Sequence, residues 1–367
     1  MSSKINILIV DDSPFYRDLL TSSIRKSARV QIAGVAADGE QAIQAVLRVK
    51  PDLILLDLEM PRMDGFTFLR WLMVNFPLPV IVVSSKADVH STFKALELGA
   101  ADFLEKPAGQ EAGTEFDQQL IRRIEVVAQI PIKKLIKRTE LFRDTRVPLN
   151  VSPAIEAKPS RNHARLAKPV RAVVIGASTG GPTAIFSIIP SLPKDFPLPI
   201  CIAQHMPGGF TKSFAERLNK LSKLEVYEAQ GGEPVEPGKV YIAPGGYHLL
   251  LEARKGTPLT VLKAKGPEDR FAPSVDALMI SASSVFKGSL LGILLTGMGN
   301  DGLEGMRRIK SEGGTTLAES EETAVVFGMP REAIEAGVVD EVAALGRIPA
   351  EMMALCAKAN LSLPELQ

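Results

Sequence analysis

From Ile5 onward the chain alternates short apolar, β-branched runs with longer segments in which apolar residues recur every three or four positions. The runs INILIV, VQIAGVA, LILLD, PVIVVSS and DFLEK read as five strands, and segments 14–27, 39–49, 65–75 and 88–98 as the helices between them. Such alternation predicts a doubly wound parallel sheet. Leu53–Leu56 and Val80–Val83 are continuously apolar, as strands covered on both faces must be. Residues 1–126 therefore read as one domain.

Between 131 and 169 the apolar pattern fades. Prolines stand at 131, 148, 153, 159 and 169, and ten Lys/Arg face three Asp/Glu. A linker over 127–169 follows, joining the first domain to whatever comes next. The alternation restarts at RAVVIGAS, with further strands expected at PICIAQ, KVYIAP, LLGILLTG and GTTLAE and helices at 182–190, 210–222, 273–286 and 301–312. A second domain over 170–362 is expected. The fold class is α/β, with two doubly wound parallel-sheet domains.

Composition narrows the function. With 367 residues, 46% of them hydrophobic, and a net charge of +1, the chain can bury two cores. No apolar run reaches the 18 residues of a membrane span, and the start MSSKINILIVDD lacks signal-peptide character, so a cytoplasmic protein without membrane insertion is expected. Two cysteines, Cys201 and Cys356, make neither a disulfide framework nor a metal cluster and read as small buried hydrophobes. The basic linker lacks interleaved aromatics, which favours a solvated hinge over a nucleic-acid surface.

In an open parallel sheet, chemistry sits at the carboxyl ends of the strands. The first domain carries Asp11-Asp12 after strand one, Asp57 after strand three, Ser84-Ser85 after strand four and Lys106-Pro107 after strand five. Clustered carboxylates can hold Mg²⁺, and Asp57 could then attack a phosphoryl group, with Ser84 and Lys106 binding the phosphate it acquires. Each residue alone also reads as a helix cap or loop residue; the set of four is far more specific. The segments IVDDSPFYR, LLDLEMPRMDGF, VVSSKA and ALELGAADFLEKP closely resemble the response-regulator receiver family. The resemblance implies a flavodoxin-like fold, phosphorylation of Asp57 by a histidine kinase, and Mg²⁺ held by Asp11, Asp12, Asp57 and the Glu59 carbonyl. It also implies Ser84 and Lys106 as the phosphate-sensing pair. Phe103 stands where many receivers carry an aromatic residue that can be tyrosine, so only that hydroxyl is missing.

In the second domain the strand RAVVIG runs into Gly176-Ala177-Ser178-Thr179-Gly180, a G-x-S-x-G turn that would project a serine hydroxyl beside a helix N-terminus. On this segment alone a phosphate or dinucleotide loop is equally open. A serine hydrolase also needs a histidine base and an orienting carboxylate. Of four histidines, His90 lies in the first domain and His163 in the linker. His205 follows the strand PICIAQ and is favoured; His248, in PGGYHLL, opens a strand after a turn and could instead line the pocket or cap that turn. Asp301 follows the apolar run LLGILLTG and opens a helix, whose N-terminus it could also cap. Asp269 and Asp276 follow no buried strand and are weaker candidates.

Ser178, His205 and Asp301 in that order, with AESEETAVVFGMPREAIEAG, resemble the catalytic domain of the chemotaxis protein-glutamate methylesterases. The resemblance implies a Rossmann-like domain that hydrolyses γ-glutamyl methyl esters on the cytoplasmic part of a methylated chemoreceptor, releases methanol, deamidates receptor glutamines and needs no cofactor. It further implies oxyanion stabilisation near Thr179 and by the Met298 N–H. The unphosphorylated receiver is expected to pack across the pocket and to release it on phosphorylation. The order of the triad differs from that of α/β-hydrolases. A receiver-regulated adaptor without catalysis is the alternative, whereas a DNA-binding output would be shorter and helical.

Overall fold

The computed structural model describes residues 4–85, 89–107, 113–135 and 169–360. The chain divides between Pro148 and Leu149 into two compact units. Residues 136–168, most of the expected linker, lie outside the described residues; of its first residues, Ile130 and Leu135 are buried.

In the first unit, strands β1 (Ile5–Val10), β2 (Val30–Ala36), β3 (Leu53–Leu56), β4 (Val80–Ser84) and β5 (Asp102–Glu105) alternate with helices α1 (Pro14–Ile24), α2 (Gly39–Val49), α3 (Gly65–Asn75), α4 (Val89–Glu97) and α5 (Thr114–Val127). The sheet is parallel in the order β2-β1-β3-β4-β5. All four residues of β3 are buried, each fully buried Leu or Ile contributing about 1.5–3 kcal/mol. Local chemistry starts the helices: the Asp38 carboxylate accepts from Gln41 N at 2.9 Å to open α2, and Asp64 from Thr67 N at 2.7 Å to open α3. Strand order reverses between β1 and β3, so the loops carrying Asp11 and Asp57 open on one crevice.

The second unit contains β6 (Ala172–Ala177), α6 (Gly181–Ile188), β7 (Ile200–Gln204), α7 (Phe210–Leu221), β8 (Glu225–Glu228), β9 (Lys239–Ile242), β10 (Tyr247–Arg254) and β11 (Thr257–Ala264). It continues through α8 (Val275–Phe286), β12 (Leu290–Leu294), α9 (Leu303–Ser311), β13 (Thr315–Glu319), α10 (Met329–Glu335), β14 (Glu341–Ala343) and α11 (Ile348–Asn360). Seven parallel strands lie in the order β14-β13-β12-β6-β7-β9-β8. The switch point falls between β6 and β12, the strands that lead to Ser178 and Asp301. Every strand expected here is present. Three were not expected: β8 and β14, which close the two edges, and β11, which pairs antiparallel with β10, the strand that opens at PGGYHLL, in a hairpin outside the sheet. That hairpin had a legible sign, because Lys255 and Gly256 both take positive φ (51° and 84°) at its two-residue turn. Helix α8 packs Val275, Leu278 and Met279 into a core with Val174, Leu249 and Leu294. Cys201 and Cys356 are free and buried as expected, and burial pushes both thiols up to about 12.

Candidate functional site

At the β1/β3 crevice, one carboxylate oxygen from each of Asp11, Asp12 and Asp57 lies within 4.8 Å of the others. Lys106, carried there by the end of β5, places Nζ 2.7 Å from Asp57 Oδ2 and 2.9 Å from Asp11 Oδ2. Asp11 and Asp57 are buried and Asp12 is exposed. Burial raises the carboxyls of Asp11 and Asp57, and their bonds to Lys106 only partly offset it. Burial also works against the Lys106 charge, but the hydrogen bonds and charges of Asp57 and Asp11 outweigh it and raise its pKa. Among the described residues, three carboxylates and one ammonium leave this pocket negative, with an all-oxygen donor set, so the residues present fit a hard divalent cation such as Mg²⁺. The Arg17 guanidinium pins the loop by donating to the Asp11 and Asp12 carbonyls at 2.7 and 2.9 Å.

The other residues expected here lie close by. Glu59 donates its backbone N–H to Asp57 Oδ1 at 3.5 Å. Ser84 is buried at the end of β4, its hydroxyl donating to the Ser85 carbonyl at 3.4 Å, and its own carbonyl accepts the Lys106 N–H at 2.8 Å. Phe103 is buried edge-on against Phe93, with ring centroids 6.3 Å apart. Tyr16 was not foreseen: its ring lies 4.3 Å beneath the Lys106 ammonium.

In the second unit, β6 delivers Ser178 to a turn whose Gly180 has φ 77°, left-handed backbone that glycine adopts without strain. The Ser178 turn is clamped from three sides. Ser178 N donates to Thr296 O at 3.0 Å, Thr296 Oγ1 donates to Thr179 O at 2.9 Å, and Gln204 Nε2 donates to the carbonyls of both Ser178 and His205 at 3.0 and 3.1 Å. A Cβ on Gly297 would stand 2.8 Å from Ser178 Cβ, so only glycine lets the loop carrying Met298 approach this closely. Met298 is half-buried and Thr179 buried.

His205, leaving β7, holds Nε2 2.7 Å from Asp301 Oδ2, while its Nδ1 is buried without a partner. Phe271 stacks on the imidazole at 4.3 Å between centroids. Among the described residues no hydrogen bond joins Ser178 Oγ to His205; catalytic bonds of this kind commonly close only around substrate.

The expectation that Asp301 caps its own helix needs correction. Gly302 occupies the N-cap of α9, and Asp301 accepts instead from α8: Val275 N at 2.8 Å, Asp276 N at 2.9 Å and Ser274 Oγ at 3.0 Å. Asp276 returns the arrangement, accepting Gly302 N at 2.9 Å and Gly305 N at 2.7 Å from α9. Burial alone would raise Asp301, but the hydrogen bond and charge of His205, with the N–H groups of Asp276 and Val275, hold it down to about 2. Asp276 is pushed up to about 6, chiefly by burial and then by the charge of Asp301. His248 pairs with Asp269 at 2.9 Å. Gln204, Phe271, Ser274 and Thr296 had not been singled out. Gln204 alone carried a sign, a polar residue closing an otherwise apolar strand one position before the histidine.

Residues 173–352 match the CheB methylesterase family and residues 7–116 the response regulator receiver domain. A protein-glutamate methylesterase/protein-glutamine glutaminase of Geobacter sulfurreducens is 44% identical over 363 residues, covering 96% of this chain and 98% of that one. Its counterpart from Thermotoga maritima is 40% identical over 96% of this chain and 98% of its own. The crystal structure of the Thermotoga maritima CheB methylesterase catalytic domain is similar with a TM-score of 0.50 at 47% identity, covering 51% of this chain and 98% of that domain.

Proposed function

We propose that this chain, which belongs to the CheB methylesterase family with an N-terminal response regulator receiver, is a phosphorylation-activated serine hydrolase that removes methyl esters from chemoreceptor glutamates and deamidates receptor glutamines. The observation that carries the catalytic assignment is the Asp301–His205 pair at the switch point beside the Ser178 turn. Residues 1–126 act as receiver, 170–362 as catalytic domain and 127–169 as the connection. No helix among the described residues is long and apolar enough to cross a membrane, and the proposed place of action is the cytoplasmic face of the receptor.

Asp301, held ionised by its N–H donors, fixes the imidazole through Nε2 and stabilises the imidazolium that forms. Nδ1 is the nitrogen left to take the Ser178 proton as Oγ attacks the ester carbonyl. The oxyanion is met by N–H groups near Thr179 and Met298. The protonated Nδ1 then returns its proton to the departing oxygen, methanol leaves, and the acyl group stays on Ser178. Water, deprotonated by the same Nδ1, attacks the acyl-enzyme and regenerates the serine and a free glutamate. With glutamine as substrate, ammonia leaves at the first stage and the rest is unchanged.

In the receiver, Asp57 is the acceptor, taking a phosphoryl group from a histidine kinase. Asp11, Asp12, Asp57 and the Glu59 carbonyl would hold Mg²⁺, which neutralises phosphate charge there. Ser84 and Lys106 bind the phosphoryl oxygens once Lys106 leaves its bond to Asp57. Phosphorylation shifts the population towards the active esterase.

Methanol release from methylated receptor, with and without a small-molecule phosphodonor and Mg²⁺, tests this reading. Wild type is expected to respond to phosphodonor, Asp57→Asn to keep only basal release and Ser178→Ala to release none. Undiminished release by Ser178→Ala sinks the catalytic assignment, and full stimulation of Asp57→Asn sinks the regulatory one.

A further inference from the structure

We propose that His248 is a positioning residue for catalysis, acting through Ser274 to hold the Asp301 carboxylate in line with His205. The inference rests on the reading that Asp301 orients the base.

Both ring nitrogens of His248 are engaged. Nδ1 accepts the Ser274 N–H at 3.2 Å, so it carries no proton, and Nε2–H therefore donates to Asp269 Oδ2 at 2.9 Å. Asp269 is anchored in turn by the Gly266 N–H at 2.7 Å. A neutral tautomer is fixed in this way, and no nitrogen remains to take a proton from substrate or serine. That removes His248 as a rival base and gives it another task.

Ser274 is the N-cap of α8, its hydroxyl oxygen accepting from Ala277 N at 3.2 Å while its O–H donates to Asp301 Oδ1 at 3.0 Å. The next two N–H groups, of Val275 and Asp276, go to the same carboxylate. Three of the four donors that hold Asp301 thus come from one cap, and His248 is the side chain that fixes the cap's backbone. The four residues His248, Ser274, Asp301 and Phe271 line one cleft of about 350 Å³, so the chain of contacts from His248 to Asp301 runs along a single wall. His248 itself is 4% exposed. A shift of the cap would turn the Asp301 oxygens and, through the 2.7 Å bond to Nε2, the imidazole plane. Catalysis is sensitive to displacements well under 1 Å at such a group.

Two amide substitutions separate this role from packing. Asparagine places an oxygen where Nδ1 lies and keeps an acceptor for Ser274 N–H. Glutamine reaches towards Asp269 and leaves Ser274 N–H unpaired. Steady-state methanol release by the full chain with phosphodonor is expected to show kcat about tenfold lower in His248→Gln and in Ser274→Ala, with KM within about twofold of wild type. The double variant should lose less than the product of the two single losses, because His248→Gln frees the cap's backbone and Ser274→Ala removes the hydroxyl of that same cap from Asp301. His248→Asn should recover most of the lost kcat. Equal losses in the Asn and Gln variants, or additive losses in the double variant, overturn the proposal. If His248→Gln turns over like wild type while Asp301→Ala is inactive, His248 alone loses its role; if Asp301→Ala is itself fully active, the orienting role of Asp301 falls and this proposal with it.

Discussion

In the receiver, Asp11 and Asp57 share the Lys106 ammonium, and both carboxyls stay above their ordinary range. In the hydrolase, Asp301 and Asp276 also share a buried corner, yet one is held down to about 2 and the other pushed up to about 6. The difference lies in the donors. Asp301 takes two backbone N–H groups from the start of α8, a hydroxyl and an imidazole, which together outweigh its burial. Asp57 has backbone N–H groups only from Leu58 and Glu59, the second at 3.5 Å. A carboxylate saturated with fixed donors is a permanent anion suited to holding a base. An under-satisfied pair is suited to receiving a cation and a phosphoryl group, because charge added there relieves a deficit.

The sharpest way to break this comparison is to remove the saturated anion. Asp301→Ala should lower phosphodonor-stimulated methanol release by about 10³–10⁴-fold, the scale of losing an orienting carboxylate. Turnover within tenfold of wild type would mean that the donors around Asp301 serve only the fold.

The receiver tests the other half. Lys106→Met strips the Lys106 ammonium from Asp11 and Asp57 and should cost about 3 kcal/mol, as breaking a buried pair from one side does. Asp57→Asn removes a like charge instead and should stabilise the metal-free receiver by about 1 kcal/mol. The signs follow from the raised carboxyls: in the window between the ordinary value of 3.8 and the raised values, the folded receiver binds more protons than the unfolded chain, so its stability falls as pH rises. Mg²⁺ should restore stability above that window by binding only the folded state. Urea unfolding followed by Trp71, the single tryptophan and part of α3, reports all three effects. A stabilising Lys106→Met would show that the pocket is not short of positive charge.

Much of this was legible in the sequence, for a physical reason. Strands buried on both faces announce themselves as unbroken apolar runs, and the polar residues closing them stand out, which is how Asp11, Asp57, Ser178 and His205 were found. The edges β8 and β14 are four and three residues long and largely half-buried or exposed, so neither had an apolar run to show. The crossed capping of α8 and α9 could not be read either. Asp301 and Asp276 stand 25 residues apart, and each looks like a cap for its own helix until the fold sets the two helix starts side by side. Asp276 was set aside as a rival to Asp301 for the base; its place beside that carboxylate gives it a different interest.

The smallest expected effect isolates that opposition. Burial, and then the charge of Asp301, push Asp276 up to about 6, above its ordinary 3.8. Between about pH 4 and 6 the folded state therefore holds the extra proton, and stability declines as pH rises through the window. Asp301, held down to about 2, contributes the reverse slope at lower pH: its stabilisation is gained as pH rises from about 2 to 4 and kept above. Asp276→Asn keeps an amide oxygen for the N–H groups of Gly302 and Gly305 and deletes the charge facing Asp301. It should flatten the decline between about pH 4 and 6 and leave the catalytic unit about 1 kcal/mol more stable at pH 7, a figure already reduced for solvent screening. Denaturation followed by circular dichroism at pH 4, 5, 6 and 7 measures both. A decline that persists unchanged in Asp276→Asn would place the titrating group elsewhere.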